Sequence, residues 1–287
     1  MDKLKLISWN IRGINNKKSQ GDLKILVSKH SVNILCVQET KIGNLSGEDL
    51  IFIWGRDSVG VECQEAEGMS GGLATMWDSS LFNKIDVTKE ARWLWVTLDE
   101  KSSLKKVHCV NIYAPHNRRA RREFFGGLRG MILSRNQEKI IICGDFNSIR
   151  SQEERTNCQY RKEDVVDLNN FITTCNLINH NIVNGKFTWI GPGNKRSRLD
   201  RILTNCSWDL NNEWELFKIF TLPKKDLLWK RSLGEWDKEL TEEIYEIIQR
   251  VCSDKEDVVS WKFNNKEFST KEGYKELTKG IGEVESR

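Results

Sequence analysis

The sequence predicts an α+β sandwich with its helices outside, and three observations support this. Short apolar runs rich in Ile, Val and Leu recur about eight times in residues 1–223. Stretches with helical spacing lie between only some of them. The runs are too many for a simple doubly wound sheet and too irregularly spaced for a propeller.

In order, the expected strands are residues 4–9, 33–37, 72–77, 93–98, 107–113, 140–143, 187–190 and 199–203, each a run short enough for a buried strand. Leu23, Ile25 and Leu26 suggest one helix; Phe124, Phe125, Leu128 and Ile132 a second; Val165, Leu168, Phe171 and Ile172 a third. After Pro223 the texture changes. Residues 235–251 are a polar, acidic helix candidate, followed by a strand-like 258–263 and a charged helix near 270–277. The division expected is a main domain over 1–223 and a small, mostly helical tail over 224–287 of marginal stability.

The 287 residues hold only 3 prolines but 11 tryptophans, which argues against a disordered chain. The net charge of +4 names no partner, but its distribution is uneven: +6 over residues 1–223 and −2 over 224–287. Residues 114–135 hold six arginines and one acid, a cluster suited to a polyanion or, equally, to a solvated helix face. None of the eight cysteines forms a C-x-x-C pair, so a zinc ribbon or thioredoxin-like site has no support. Cys36 and Cys143 sit in apolar runs, where a thiol behaves as a small hydrophobe. With no signal-like or membrane-spanning segment, a reducing nuclear or cytoplasmic location is expected, with no membrane contact and no inferable protein partner.

The chemistry is written at strand ends. One run passes into Asn10, a second into Gln38-Glu39, and a third into Gly144-Asp145-Phe146-Asn147. If these strands are neighbours of common direction, an amide, a carboxylate and a carboxylate–amide pair share one crevice. Hard oxygen ligands without a His or Cys cluster suit Mg²⁺ or Mn²⁺ rather than zinc. Singly, each group has a plainer reading as a turn former or solvated acid. Together, on three separate strands, they point to a site.

Six ordered motifs carry a family resemblance: Ser8-Trp9-Asn10-Ile11-Arg12-Gly13, Gln38-Glu39-Thr40-Lys41, Ser70-Gly71-Gly72-Leu73, Asn111-Ile112-Tyr113-Ala114-Pro115, Gly144-Asp145-Phe146-Asn147 and Ser197-Arg198-Leu199-Asp200-Arg201. Over roughly residues 3–223 the chain resembles the endonuclease/exonuclease/phosphatase (DNase I-like) superfamily. More closely, through Phe187-Thr188-Trp189 and residues 197–201, it resembles the apurinic-type endonuclease domain of plant non-LTR (LINE) retrotransposons. The tail resembles the segment that follows the reverse transcriptase in such polyproteins, with the reverse transcriptase itself absent, as in a decayed or rearranged element.

The resemblance implies a four-layer α/β-sandwich and a Mg²⁺- or Mn²⁺-dependent endonuclease that nicks DNA. It implies that Glu39 binds the metal with Asn10 beside it, and that Tyr113 reaches the scissile phosphate. Asp145 would orient the attacking water and Asn147 would stabilise the transition state. Asp200 would hold a catalytic histidine, as an acid orients the imidazole of a triad. Lys17, Lys18, Arg118, Arg119, Arg121 and Arg122 follow Asn10 and Tyr113 closely and are the candidate DNA contacts, weak and salt-dependent.

One part of the pattern is missing. The family closes with Ser-Asp-His, whereas here the equivalent stretch reads Leu222-Pro223-Lys224-Lys225-Asp226-Leu227-Leu228, and no histidine follows His180. Either Asp226 is the surviving acid with Leu227 in the histidine's place, or the motif was lost wholesale. His116 is expected to be an ordinary loop residue. Three functions follow: an impaired endonuclease, a non-catalytic relic that keeps the fold and weak metal and nucleic-acid binding, and a lipid or inositol phosphatase. The Phe187–Trp189 and Arg198–Arg201 motifs speak against the last.

Overall fold

The computed structural model describes residues 4–15, 17–41, 47–67, 70–103, 105–180, 186–205 and 214–215. The expected tail at 224–287, with Asp226 and Leu227, lies outside these described residues.

One mixed sheet is built from β1 (Leu4–Asn10), β2 (Ile34–Gln38), β3 (Val59–Glu67), β4 (Ser70–Asp78) and the two-residue β14 (Trp214–Glu215), in the order β14-β1-β2-β4-β3. The second holds β5 (Phe82–Glu90), β6 (Trp93–Glu100), β7 (Lys106–Tyr113), β8 (Lys139–Asp145), β10 (Leu177–Asn179) and β13 (Asp200–Asn205), in the order β10-β13-β8-β7-β6-β5. A small third sheet, β11 (Trp189–Gly191), β12 (Lys195–Ser197) and β9 (Arg155–Thr156), braces the loops between them. The helices are α1 (Lys17–His30), α2 (Gly47–Trp54), α3 (Arg118–Leu133) and α4 (Lys162–Thr174).

The central strands explain why their sequences are apolar throughout rather than alternating. Along β1, β2 and β8, one set of residues (Leu6, Ile34, Cys36, Ile141, Cys143) faces the core between the sheets. The alternate set from β1 and β2 (Ile7, Trp9, Leu35, Val37) packs under α1 and α2 with Leu23, Val27 and Ile53. Ile140 and Ile142 of β8 pack under α3 and α4 with Phe124, Phe125, Leu128 and Phe171. Burial on both faces demands continuous hydrophobicity. The result is four layers, helix–sheet–sheet–helix, as the family resemblance implied.

All eight expected strands are present, with 187–190 and 199–203 displaced by a residue or two. The edge strands β3 and β5 and the helix α2 escaped the sequence reading. β5 is mostly solvent-facing and so carries no apolar run. The helix suggested by Leu23, Ile25 and Leu26 is present as α1, in which Ile25 is 62% exposed and the buried residues are Gln20, Leu23 and Val27. Leu23 and Ile25, two apart, cannot share one face of a helix.

The inward positions change character toward the C-terminal ends of the central strands. β1 and β2 are parallel with Ser8 opposite Cys36 and Asn10 opposite Gln38. β7 and β8 are parallel with Asn111 opposite Cys143 and Tyr113 opposite Asp145. Between the sheets lies first a layer of thiols, then one of amides, then the polar groups of the strand ends. In the amide layer Gln38 Nε2 donates to Asn111 Oδ1 at 2.7 Å and to Ser8 Oγ at 3.0 Å. Asn111 Nδ2 in turn donates to Ala74 O at 3.0 Å, Val37 O at 3.2 Å and Thr75 Oγ1 at 3.3 Å.

Removing Asn111 deletes its buried hydrogen bonds to Gln38, Ala74, Val37 and Thr75, each a net loss of about 0.5–1.5 kcal/mol. Asn111→Ala should therefore lower unfolding free energy by roughly 2–4 kcal/mol in a urea titration. A loss within ~0.5 kcal/mol of zero would show that the amide layer does not hold the sheets together.

Candidate functional site

The parallel pairs β1–β2 and β7–β8 bring four strand ends to one edge of the sandwich, and β13 starts there in the opposite direction, with Asp200 paired to Asp145. Three of the four leave the sheet through a left-handed residue: Arg12 (φ 55°) after β1, Glu39 (φ 52°) after β2, Asn147 (φ 46°) after β8. Such conformations cost of order 1–3 kcal/mol for side chains like Arg and Glu, and they persist where the surroundings enforce them. Gly144 is required within β8. Its φ is +135°, and a Cβ there would lie 2.1 Å from the Ile112 carbonyl oxygen.

The site's centre is the Asn10 amide. Its Nδ2 donates to Glu39 Oε1 at 2.9 Å and to Asp145 Oδ2 at 3.0 Å, joining carboxylates 106 positions apart in the chain through one NH₂ group. Asn10 Oδ1 is buried and has no hydrogen-bond partner. Lys41 Nζ stands 3.9 Å from Glu39 Oε2. Asp145 is 5% exposed. Burial raises its pKa above the usual carboxylate value, and the Glu39 charge adds to this, against the lowering by the Asn147 N–H and Asn10. These three side chains make a set of hard oxygen donors, joined through the Asn10 NH₂ group with its amide oxygen unused among the described residues, which suits a hard divalent cation. The family generally uses divalent metal ions.

Tyr113 lies beside them, 5% exposed, with its hydroxyl 3.2 Å from His116 Nε2 and the Arg92 guanidinium 5.5 Å from its ring centre. Burial, then the charges of Glu39 and Asp145, push the phenol well above its ordinary pKa, so it remains a donor at neutral pH. The Asn147 backbone N–H donates to Asp145 Oδ1 at 2.8 Å, and its side-chain amide donates to Ala114 O at 2.6 Å. Asp200 is 4% exposed and, among the described residues, its Oδ1 has no partner. Burial first, then Asp145, raise its pKa well above the carboxylate range, while Thr188, Arg12 and Arg201 pull the other way. His108, His116 and His180 bond to Glu138, Tyr113 and Thr204 respectively, not to Asp200.

Asn10, Glu39, Tyr113, Asp145, Asn147 and Asp200 thus share one strand-end edge. Sequence reasoning missed Arg12, Arg92 and Thr188 and gave His116 no role. Arg12 lay inside a quoted motif, whereas Arg92 is placed by its backbone contact to Tyr113, which has no sequence signature.

The basic cluster needs one correction. Arg121 is 3% exposed and donates to Pro115 O and His116 O, so it holds the loop after Tyr113 and is not a DNA contact. Arg118 and Arg122 both pair with Asp167 of α4, and Lys17 pairs with Asp49. Arg119 is 91% exposed and paired only with its i+4 neighbour Glu123. Lys18 is exposed. No helix among the described residues is long and apolar enough to cross a membrane.

Residues 7–214 match the Endonuclease/Exonuclease/phosphatase family. The chain belongs to that family. A curated relative, an exodeoxyribonuclease of Bacillus subtilis, is 26% identical over 161 residues, which is 50% of this chain and 58% of the relative. The match therefore spans little more than half of that relative's length. Among solved structures, the chain is similar to the AP endonuclease LMAP of Leishmania major, with a TM-score of 0.58 at 14% identity over 70% of this chain and 79% of that one. The endonuclease domain of TRAS1, a telomere-specific non-LTR retrotransposon, gives a TM-score of 0.53 at 14% identity over 70% and 84%. At such identities these neighbours establish the shared sandwich fold.

The buried Asp200 yields a pH test. With its folded pKa raised above the unfolded value of about 4, its contribution is most favourable below that value and is lost as pH rises through the folded pKa. Asp200→Asn should then raise the melting temperature at pH 8, and the gain should shrink toward pH 4. A gain that is independent of pH would contradict the raised pKa.

Proposed function

We propose that the chain is a Mg²⁺- or Mn²⁺-dependent phosphodiester hydrolase domain of retrotransposon origin, directed at DNA, whose turnover is severely impaired. The observation that carries the reading is the Asn10 amide set between Glu39 and Asp145 with its oxygen unused. Glu39, Asp145 and Asn10 would hold the ion, and when bound it supplies charge neutralisation at a phosphate and a lowered pKa for water.

The chain's own groups account for the rest. Tyr113, protonated and aimed from the floor of the site, donates to a phosphate oxygen. Asp145 orients the water that attacks phosphorus, and Asn147 stabilises the charge that develops there. Asn147 spends one N–H on Ala114 O, which fixes the amide and leaves the other for the phosphate. The names of the exodeoxyribonuclease and AP endonuclease relatives support DNA as the polymer.

Impairment rests on the missing histidine. In the family the acid at position 200 orients a histidine, yet here no histidine follows position 180, and among the described residues Asp200 Oδ1 has no partner. Loss of a proton-transfer group costs about 10²–10⁴ in rate. The same observation favours the second reading, a relic that binds metal and nucleic acid without turnover. A nicking assay on supercoiled plasmid separates the two. The impaired enzyme shows slow, metal-dependent nicking that Asp145→Ala abolishes and that a Ser-Asp-His sequence at positions 225–227 accelerates. The relic shows no difference between the unmodified chain and Asp145→Ala. Fast nicking by the unmodified chain would refute the impairment.

DNA affinity should be weak and steeply salt-dependent, carried by the exposed cations. Arg119→Ala and Lys18→Ala should each reduce the log–log salt slope by about 1, whereas Arg121→Met should leave it unchanged in a folded protein. A slope insensitive to Arg119 and Lys18 would move the interface elsewhere.

A further inference from the structure

The thiol layer lies deeper than the strand-end site and serves none of its chemistry. Cys36 on β2, Cys109 on β7 and Cys143 on β8 are each 0% exposed, and their three Sγ atoms lie within 4.8 Å of one another. Cys36 and Cys109, one from each sheet, approach to 3.4 Å. They are the only group of three or more His, Cys, Asp or Glu side chains among the described residues that converges closely enough to hold one ion.

We propose that Cys36, Cys109 and Cys143 form a closed site for one thiophilic d¹⁰ cation, Zn²⁺ or Cu⁺, which pins the two sheets together. An ion with metal–sulfur distances of about 2.3 Å holds its sulfurs roughly 3.8–4.0 Å apart, so occupation asks for shifts of less than about 1 Å. All three donors are soft sulfur, which selects d¹⁰ ions over the hard ions suited to the strand-end oxygens. A disulfide would use two of the thiols and leave the third.

Cys109 and Cys36, and with them the buried Ser8 hydroxyl, hydrogen-bond Cys143. Gln38 Nε2 donates to Ser8 Oγ at 3.0 Å and so fixes the hydroxyl, tying the thiols to the amide layer above. Burial and their neighbours hold Cys36 and Cys109 above the ordinary value. A monovalent ion forms a neutral group when one of the three thiols loses its proton to solvent, whereas Zn²⁺ requires two to do so. Both ions remain within the chemistry, and the test has an arm for each.

Because the layer is sealed, the ion enters as the chain folds. The full chain would be unfolded under phosphine reductant, refolded with one equivalent of Zn²⁺, Cu⁺ or the probe Cd²⁺, and passed through chelator. The expected result is about one retained ion per chain in at least one arm and, with Cd²⁺, a thiolate-to-metal charge-transfer band. Cys36→Ala, Cys109→Ala and Cys143→Ala, each checked for native circular dichroism, should lose both signals. Where an alanine variant does not fold, the corresponding valine variant replaces it. Cys63→Ala and Glu39→Gln should keep both, which separates this site from the proposed catalytic one. No retained ion in any arm overturns the proposal, as does a band that survives all three substitutions. A refolded chain lighter by two hydrogen atoms, air having oxidised Cys36 and Cys109 to a disulfide once the reductant is removed, also overturns it.

Discussion

The hydrogen bond from Gln38 to Asn111 joins the two sheets one residue short of the site, and the geometry of every polar strand end depends on it. Gln38 precedes Glu39 directly, and Asn111 lies two residues before Tyr113, on the same face of β7. Joining these side chains at 2.7 Å sets how β2 and β7 slide past one another. Parallel pairing then transmits that register from β2 to β1 and from β7 to β8. Asn10 is thereby delivered between Glu39 and Asp145. A slip of one residue in either strand would turn each of these groups to the opposite face.

Below this link the core is apolar and sulfur-rich, and above it the structure carries unresolved electrostatics. Two carboxylates share one amide donor, a third acid is buried with an unpartnered oxygen, and three residues adopt left-handed conformations at the strand ends. A sandwich selected for stability alone would remove each of these costs. Their concentration at one edge supports the proposal that this edge is the functional one. The Glu154 carboxylate, gripped by the fully buried Arg201 and lowered below its usual pKa, shows how the fold pairs a charge it uses only for structure. That pairing anchors the start of β13, so Asp200 is held in place from the residue beside it.

Much of this was legible in the sequence because the central strands are buried on both faces and leave continuous apolar runs. Asn10, Glu39 and Asp145 stood out because each interrupts such a run at its end. The edge strands were silent, since β5 exposes most of its length and carries no run to read. Arg121 was misread because charge counting cannot tell a guanidinium that caps a loop from one that meets solvent; only its bonds to Pro115 O and His116 O decide it. The thiol cluster was invisible for a different reason. Its members come from three strands spread over 108 positions, and no spacing rule joins residues that meet only when two sheets pack.

The proposed divalent-cation site consists of the Asn10 oxygen and the two carboxylates that share the Asn10 amide nitrogen. Crystals of the full chain grown with Mn²⁺, measured by anomalous scattering, test this directly. The expected result is one anomalous peak among Asn10 Oδ1, Glu39 and Asp145, and its loss in Glu39→Gln. An absent peak there at millimolar Mn²⁺, or one that persists in Glu39→Gln, would contradict it.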